Sequence, residues 1–129
     1  MIKDIGLLSV GQETLLAGFG DNDGVARSGG GKLRFVKTTI LDPAYGKSEL
    51  TVDQSKGKGA CYGDSGGPAY VEIEGKLHVA GVTSRGEEEC LIATIYTSTA
   101  AHVDWISEAS QRLTLKHAAP TLAPIALGN

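Results

Sequence analysis

The sequence predicts an all-β domain, and three observations support this fold class. Glycine occupies 18 of 129 positions while aromatic residues make up only 5%, a balance typical of short strands joined by tight turns. β-like runs alternate with Gly- and Asp-rich breaks along most of the chain. Only one segment, close to the end, has helical periodicity. A chain of this length forms one ordinary domain with a single core.

About six segments have the alternation or the β-branched content of strands; they cover residues 12–19, 33–41, 50–52, 69–73, 76–84 and 93–97. Turn sequences separate these segments. Gly20-Asp21-Asn22-Asp23-Gly24 follows the first strand, and Asp42-Pro43 is predicted to end the second. Glu74-Gly75 joins the fourth and fifth strands as a hairpin.

The helix is predicted from an apolar stripe at three- to four-residue spacing, formed by Val103, Ile106, Ala109 and Leu113. Residues 118–129 contain two prolines and end in Gly-Asn, so we predict an irregular tail there. The domain is therefore expected to cover residues 1–117. No linker or internal repeat divides it.

Charge and composition exclude several classes of partner. The net charge is −3 and the basic residues are scattered, so no nucleic-acid surface is indicated. No apolar run approaches the ~18 residues needed to span a bilayer, which predicts no membrane association. The start, Met1-Ile2-Lys3-Asp4, lacks a signal-peptide pattern. Cys61 and Cys90 fit no metal-binding spacing, and by themselves they are compatible with two free thiols or with one disulfide.

The segment Gly63-Asp64-Ser65-Gly66-Gly67-Pro68 indicates nucleophilic chemistry. A serine hydroxyl is a weak nucleophile unless it is exposed and a base removes its proton. The flanking glycines allow a sharp bend and leave the amides of Gly63 and Ser65 free to stabilise an oxyanion. Ser65 is therefore the candidate nucleophile of an acyl-transfer reaction.

This hexapeptide is the complete nucleophile signature of the chymotrypsin/trypsin-like serine proteases, which the sequence closely resembles. Gly18-Phe19-Gly20 is similar to the Gly-Trp-Gly strand end of that family, and residues 81–86 are similar to its substrate-binding strand. Residues 95–97 and 103–106 resemble its last strand and C-terminal helix. The resemblance covers roughly residues 11–113. It implies a six-stranded antiparallel β-barrel with a C-terminal α-helix, the second barrel of a two-barrel serine endopeptidase.

The resemblance also implies a role for each residue of the motif. Ser65 is the nucleophile, and the amides of Gly63 and Ser65 form the oxyanion hole. Asp64 pairs in relatives with the N-terminus that zymogen activation frees. Cys61 and Cys90 match a disulfide at the rim of the primary specificity pocket. The reaction hydrolyses a polypeptide substrate and needs no cofactor or metal.

The specificity pocket implied by the resemblance has a base and walls formed by Gly59, Ala60, Ser84, Arg85, Gly86 and Thr94. Cleavage after Lys or Arg needs a carboxylate at the base, and Gly59 offers none. Thr94 should make the pocket shallower. We therefore expect a preference for small or medium apolar side chains, with Arg85 favouring acidic substrate groups nearby.

The residues that should activate Ser65 are missing from the positions the family requires. In these proteases the histidine base and its aspartate precede the serine, whereas His78, His102 and His117 all follow it. Alternation along the fifth strand predicts that His78 faces outward, and surface or structural roles are expected for all three. Asp4-Ile5-Gly6-Leu7-Leu8 resembles the stretch around the triad aspartate, but it lies too near Gly18, so we interpret the match as coincidence.

The expectation is therefore the Ser-bearing half of a protease, inactive without an N-terminal barrel that carries His and Asp. The face toward that barrel should be apolar and should permit association with it or self-association. A secreted or periplasmic location follows from the family and the expected disulfide.

Two other classes of protein share parts of this pattern. An α/β-hydrolase would use Ser65, Asp104 and His117 in that order, but it needs a helix directly after the serine, and a strand is predicted there. That class is rejected. A non-catalytic binding module with a protease-like barrel stays open, and the upstream coding sequence discriminates between the two.

Overall fold

The computed structural model describes residues 1–117, which form a closed antiparallel barrel followed by a helix. Six strands make up the barrel in this part of the chain: β1 Glu13–Gly18, β2 Arg34–Tyr45, β3 Glu49–Asp53, β4 Pro68–Ile73, β5 Lys76–Gly86 and β6 Ala93–Ser98. Their order around the barrel is β1-β2-β3-β6-β5-β4, and β1 pairs with β4 to close it. Helix α1, Val103–His117, follows a short 3-10 turn at Ala100–His102. The predicted fold class is confirmed, while the predicted tail lies outside the described residues.

The barrel core consists of inward-facing side chains from every strand. Alternate residues of β6 are buried, and all three central residues of β3 are buried. The largest fully buried apolar side chains of the strands are Ile40, Leu50, Val52, Val71 and Tyr96. Each such side chain contributes about 1.5–3 kcal/mol through removal of its apolar surface from water. This core holds the ends of the strands, and therefore the loops between them, in fixed relative positions.

Strand β2 continues beyond its predicted end. It was predicted to stop at Asp42-Pro43, but it runs to Tyr45. The ladder between β2 and β3 is irregular here, with register shifts between Ile40 and Asp42 and between Asp42 and Tyr45. A proline is tolerated in such a bulged region because no regular ladder hydrogen bond is required of it.

The N-terminal segment packs against the barrel, a role that the sequence did not predict. Ile2 and Leu8 are buried in the core. The Ile2 amide donates to the Val79 carbonyl at 2.7 Å, and the Thr99 hydroxyl donates to the Ile2 carbonyl at 2.9 Å. Asp4 accepts the Gly6 amide at 2.8 Å and caps the 3-10 turn Ile5–Leu7, so its carboxylate has a local structural partner.

Helix α1 leaves most of its residues exposed, including Trp105, Leu113 and Leu115. Its apolar stripe, correctly predicted in position, is only half-buried at Val103, Ile106 and Ala109. None of the helices in the described part of the chain has the length and apolar character required to cross a bilayer.

Candidate active site

Ser65 is exposed and lies in a turn immediately before β4. The turn is held by backbone hydrogen bonds: the Gly66 amide donates to the Thr83 carbonyl at 2.9 Å, and the Thr83 amide donates to the Gly67 carbonyl at 2.8 Å. The serine is therefore anchored to β5 while its side chain stays accessible. A strand, not a helix, follows it, which excludes the α/β-hydrolase arrangement.

In the loop that carries Ser65, residues 61–67 and called the nucleophile loop below, the amides of Gly63 and Ser65 have no acceptor among the described residues. Within residues 1–117, the amides of Gly63 and Ser65 donate to no protein group, whereas the Asp64 amide between them donates to the Cys61 carbonyl at 3.0 Å. Gly63 has φ +92°, a conformation that side chains disfavour and glycine permits. Unpaired amides beside a reactive hydroxyl are the donors that an oxyanion requires.

The Asp64 side chain binds two backbone amides. Its Oδ1 accepts the Gly20 amide at 2.8 Å, and its Oδ2 accepts the Cys61 amide at 2.9 Å. A Cβ atom on Gly18 or on Gly20 would overlap this carboxylate. The two glycines at the end of β1 thus leave free the space that the Asp64 carboxylate occupies.

Asp64 also lines a cavity of about 320 Å³ behind the nucleophile loop. Gly20, Gly59 and Tyr96 contribute to the same cavity. The Tyr96 side chain is buried in the core, and burial raises the pKa of its hydroxyl to about 12. The lining also includes Asp21, Asp23 and Glu89 together with Arg34 and Lys58, so the wall of this cavity carries charges of both signs.

Cys61 and Cys90 form a disulfide, with Cα atoms 5.5 Å apart. The bridge connects the nucleophile loop to the loop between β5 and β6. That second loop is organised by Glu87, whose carboxylate accepts the amides of Glu89 at 2.8 Å, of Leu91, and of Ile92 at 2.9 Å. Glu87 was not predicted as a site residue, because a carboxylate that caps several nearby amides has no distinctive sequence pattern.

A second cavity, of about 250 Å³, opens beside Ser65 and is called the serine pocket below. It brings together five of the predicted site residues, listed here: Ser65, Ala60, Arg85, Gly86 and Thr94. Gly59 lines the cavity behind the nucleophile loop instead, and the exposed Ser84 lines neither cavity. Ala60, Cys61, Thr83 and Cys90 line both cavities and form the wall between them.

Arg85 is engaged by a partner that the sequence did not reveal. Its guanidinium forms a two-pronged ion pair with the Glu49 carboxylate, Nη2 to Oε2 at 2.9 Å and Nη1 to Oε1. The hydrogen bond from Arg85 holds the pKa of Glu49 below its usual range. Glu49 is far away in sequence, and only the pairing of β3, β6 and β5 brings the two side chains together.

Tyr62 also lines the serine pocket and was missed by the sequence analysis. Its hydroxyl donates to the Glu88 carbonyl at 2.8 Å, and the Arg27 guanidinium stacks over its ring at 4.3 Å. These contacts join three loops at the rim of the pocket. A single tyrosine beside a signature motif gives no sequence indication of such a role.

Neither His78 nor His102 lines the serine pocket. The predicted outward orientation of His78 is wrong: Leu77 is 55% exposed, while His78 is half-buried. His78 is paired with the buried Val71 on β4, and paired residues share one face of a sheet. Within residues 1–117, no group of three His, Cys, Asp or Glu side chains is placed to hold a metal ion.

Comparison with known proteins agrees with this geometry. A family model described as Trypsin matches residues 3–106. The chain is 32% identical over 113 residues to CLIP domain-containing serine protease B4 of Anopheles gambiae, an alignment that covers 76% of this chain and 31% of the relative. It is 44% identical over 52 residues to coagulation factor IX of Oryctolagus cuniculus, covering 38% of this chain and 18% of that protein. The chain thus spans less than a third of the length of these relatives, and it belongs to the trypsin family of serine proteases.

Proposed function

We propose that this chain is the nucleophile-bearing barrel of a serine endopeptidase, with Ser65 as the residue that is acylated. The observation that carries the proposal is the exposed Ser65 hydroxyl between a pocket and two amides, of Gly63 and Ser65, that have no protein acceptor among the described residues. A surface that only binds a peptide does not require an exposed hydroxyl beside two unpaired amides.

In the proposed reaction a base takes the proton of Ser65 Oγ as this oxygen attacks the scissile carbonyl. The resulting oxyanion accepts hydrogen bonds from the Gly63 and Ser65 amides, each worth about 3–4 kcal/mol by comparison with other proteases. Collapse of the intermediate expels the amine, which takes the proton back from the base. Water then hydrolyses the acyl-serine and frees the acid.

The base is proposed to come from an N-terminal barrel that carries the histidine and its aspartate, so that residues 1–129 alone do not catalyse hydrolysis. Exposed apolar side chains support an interface: Phe35 is 78% exposed, Trp105 65% and Phe19 58%. Exposed apolar surface of this kind favours association with a partner barrel or, in its absence, with a second copy.

The proposed substrate is a polypeptide that places a small or medium uncharged side chain in the serine pocket. Asp64 is proposed to bind the α-ammonium group of an N-terminus freed by cleavage, which would enter the cavity behind the nucleophile loop. Each Asp64 oxygen already accepts one amide and retains capacity for another donor. The disulfide favours a secreted or periplasmic location.

Peptide hydrolysis by the chain with and without its upstream coding region tests this function. We expect no turnover of chromogenic peptides by residues 1–129, and turnover by the longer protein that Ser65→Ala lowers about 10⁴-fold or more. Ser107→Ala, at an exposed serine of α1, is the matched control and should leave turnover intact. Robust hydrolysis by residues 1–129 alone would contradict the half-site proposal. Peptide binding without hydrolysis in the longer protein, unchanged by Ser65→Ala, would favour the binding module.

A further inference from the structure

The floor of the serine pocket is supported from behind by a residue that lies outside the pocket lining. Gln54 follows β3 directly, is 1% exposed, and donates from Nε2 to the Ala60 carbonyl. The Thr94 hydroxyl lies 3.5 Å from the same carbonyl. Ala60 and Thr94 both line the serine pocket, so one carbonyl of its wall is held by two side chains.

The Gln54 side chain also occupies the space beside Gly59. A Cβ atom on Gly59 would lie 2.5 Å from the Gln54 Cδ and would overlap its Nε2 and Cγ. Because Cβ atoms do not approach other heavy atoms this closely, Gln54 and any side chain at position 59 exclude each other. The position of the Gln54 side chain therefore requires glycine at position 59, in addition to any requirement of the loop conformation.

The backbone of Gln54 is fixed at both of its polar groups. Its amide donates to the Ile92 carbonyl, and its carbonyl accepts the Gly57 amide, each at 2.9 Å. The point at which the side chain of Gln54 starts is therefore held in place from two sides. Its Oε1 is buried and has no hydrogen-bond partner within residues 1–117. An isolated buried acceptor is costly, so the favourable contributions of this side chain come from its volume and from its Nε2 donor.

We propose that Gln54 is a specificity-determining residue, acting through the Ala60 carbonyl to keep the serine pocket shallow and through the space beside Gly59 to exclude a charged side chain at position 59. This inference about Gln54 rests on the proposed function in one respect, because it assumes that the pocket receives a substrate side chain. As a positioning residue, Gln54 fills from behind the volume that would otherwise deepen the pocket or house a side chain at position 59. The ligand class that fits is a small uncharged side chain.

Thermal unfolding of a double-mutant cycle tests the steric part without any catalysis. Gly59→Ala in the wild type should lower the unfolding midpoint by about 5 °C or more. The same substitution in the Gln54→Ala variant should lower the midpoint much less, because the overlapping side chain is gone. Gly86→Ala, where a Cβ would sit 3.5 Å from its nearest neighbour, is the control for a tolerated glycine change. Gln111→Ala, at an exposed helix residue, is the control for glutamine removal. Equal cost of Gly59→Ala in both backgrounds would overturn the proposal.

Binding of two probes, N-acetyl-valinamide and N-acetyl-phenylalaninamide, tests the pocket depth by amide chemical shifts in NMR. Gln54→Ala should favour binding of the larger probe, N-acetyl-phenylalaninamide, over the smaller one by roughly tenfold relative to wild type. Space for one or two additional methylenes in a pocket changes relative affinity by about this factor. Gln111→Ala should not shift it. An unchanged ratio, or no binding of either probe to either protein, overturns the proposal. Both measurements are independent of turnover, so a failure of the protease assignment in the hydrolysis assay would be seen separately.

Discussion

The Asp64 carboxylate accepts the Gly20 amide at 2.8 Å, and this contact joins the end of β1 to the nucleophile loop across 44 positions of sequence. The other carboxylate oxygen accepts the Cys61 amide at 2.9 Å, on the same loop as Ser65. One side chain thus fixes the position of Ser65 relative to the barrel. The two glycines of Gly18-Phe19-Gly20 are required because the carboxylate lies against their Cα atoms.

Replacing Asp64 with Asn should destabilise the chain by about 1–3 kcal/mol, because an amide group can accept at only one of the two positions and leaves a donor facing the other N–H group. Urea unfolding followed by Trp105 fluorescence measures the change. Glu108→Gln, at an exposed position of α1, is the control and should be nearly neutral. Equal stability of Asp64→Asn and wild type would show that the carboxylate does not hold the loop.

Reduction of the Cys61–Cys90 disulfide should lower the free energy of unfolding by about 3–4 kcal/mol, since the bridge closes a loop of 29 residues in the unfolded chain. Guanidinium unfolding with and without a reductant gives the difference. The double variant Cys61→Ser/Cys90→Ser should match the reduced wild type and should not respond to the reductant. A wild type that is equally stable in both conditions would contradict this prediction.

Tyr96 should make the protein sensitive to alkaline pH. Burial raises the pKa of its hydroxyl to about 12 from an ordinary 10.0. Because the folded-state pKa is the higher one, the unfolded chain loses its proton first, so stability is complete below pH ~10 and is lost as the pH rises toward ~12. The total loss is about 2–3 kcal/mol, to be measured by urea unfolding between pH 8 and 12.

Tyr96→Phe should abolish this pH dependence. The hydroxyl makes no hydrogen bond of standard geometry within the described residues, and Thr83 is its weak polar neighbour, so the change in stability at pH 7 should be small. Tyr45→Phe, at a residue 43% exposed, is the matched control and should keep the alkaline loss. A large loss of stability in Tyr96→Phe at neutral pH would mean that the contact with Thr83 is a strong hydrogen bond and would contradict this prediction.

Glu49→Gln should leave the positive charge of Arg85, which lines the serine pocket, without its carboxylate partner. The hydrogen bond from Arg85 lowers the pKa of Glu49, so the pair contributes at neutral pH and is lost as the pH falls through the folded-state pKa, below the usual 4.5. The effect on stability should be small because the pair is exposed. Peptides with acidic residues should bind better to the variant, and the gain should disappear at high salt.

Lys37 and Glu13 provide a matched control for that experiment. Their side chains form an exposed ion pair at 2.6 Å on β1 and β2, and neither residue lines the serine pocket. Glu13→Gln should therefore leave the binding of acidic peptides unchanged. An equal gain in both variants would mean that net charge, not Arg85, controls binding.

Local patterns were sufficient for the strands and the helix. Alternation or β-branched content predicted the six strands, because each buries part of its side chains in the core. The hexapeptide around Ser65 predicts the candidate nucleophile, because its glycines act within one short loop. The strand alternation failed at Leu77 and His78 because the β4–β5 pairing has a register shift farther along, between the pairs Ala69–Gly81 and Tyr70–Val79.

The contacts that build the site were decided by the tertiary structure. Asp64 with Gly20 and Arg85 with Glu49 join residues far apart in sequence, and Ile2 enters the core from a segment without periodicity. Gln54 and Gly59 are only five positions apart, yet their mutual exclusion depends on how the loop folds back on itself. Sequence periodicity reports which face of a strand is buried, whereas barrel closure determines which side chains meet, because it brings the ends of different strands to one edge.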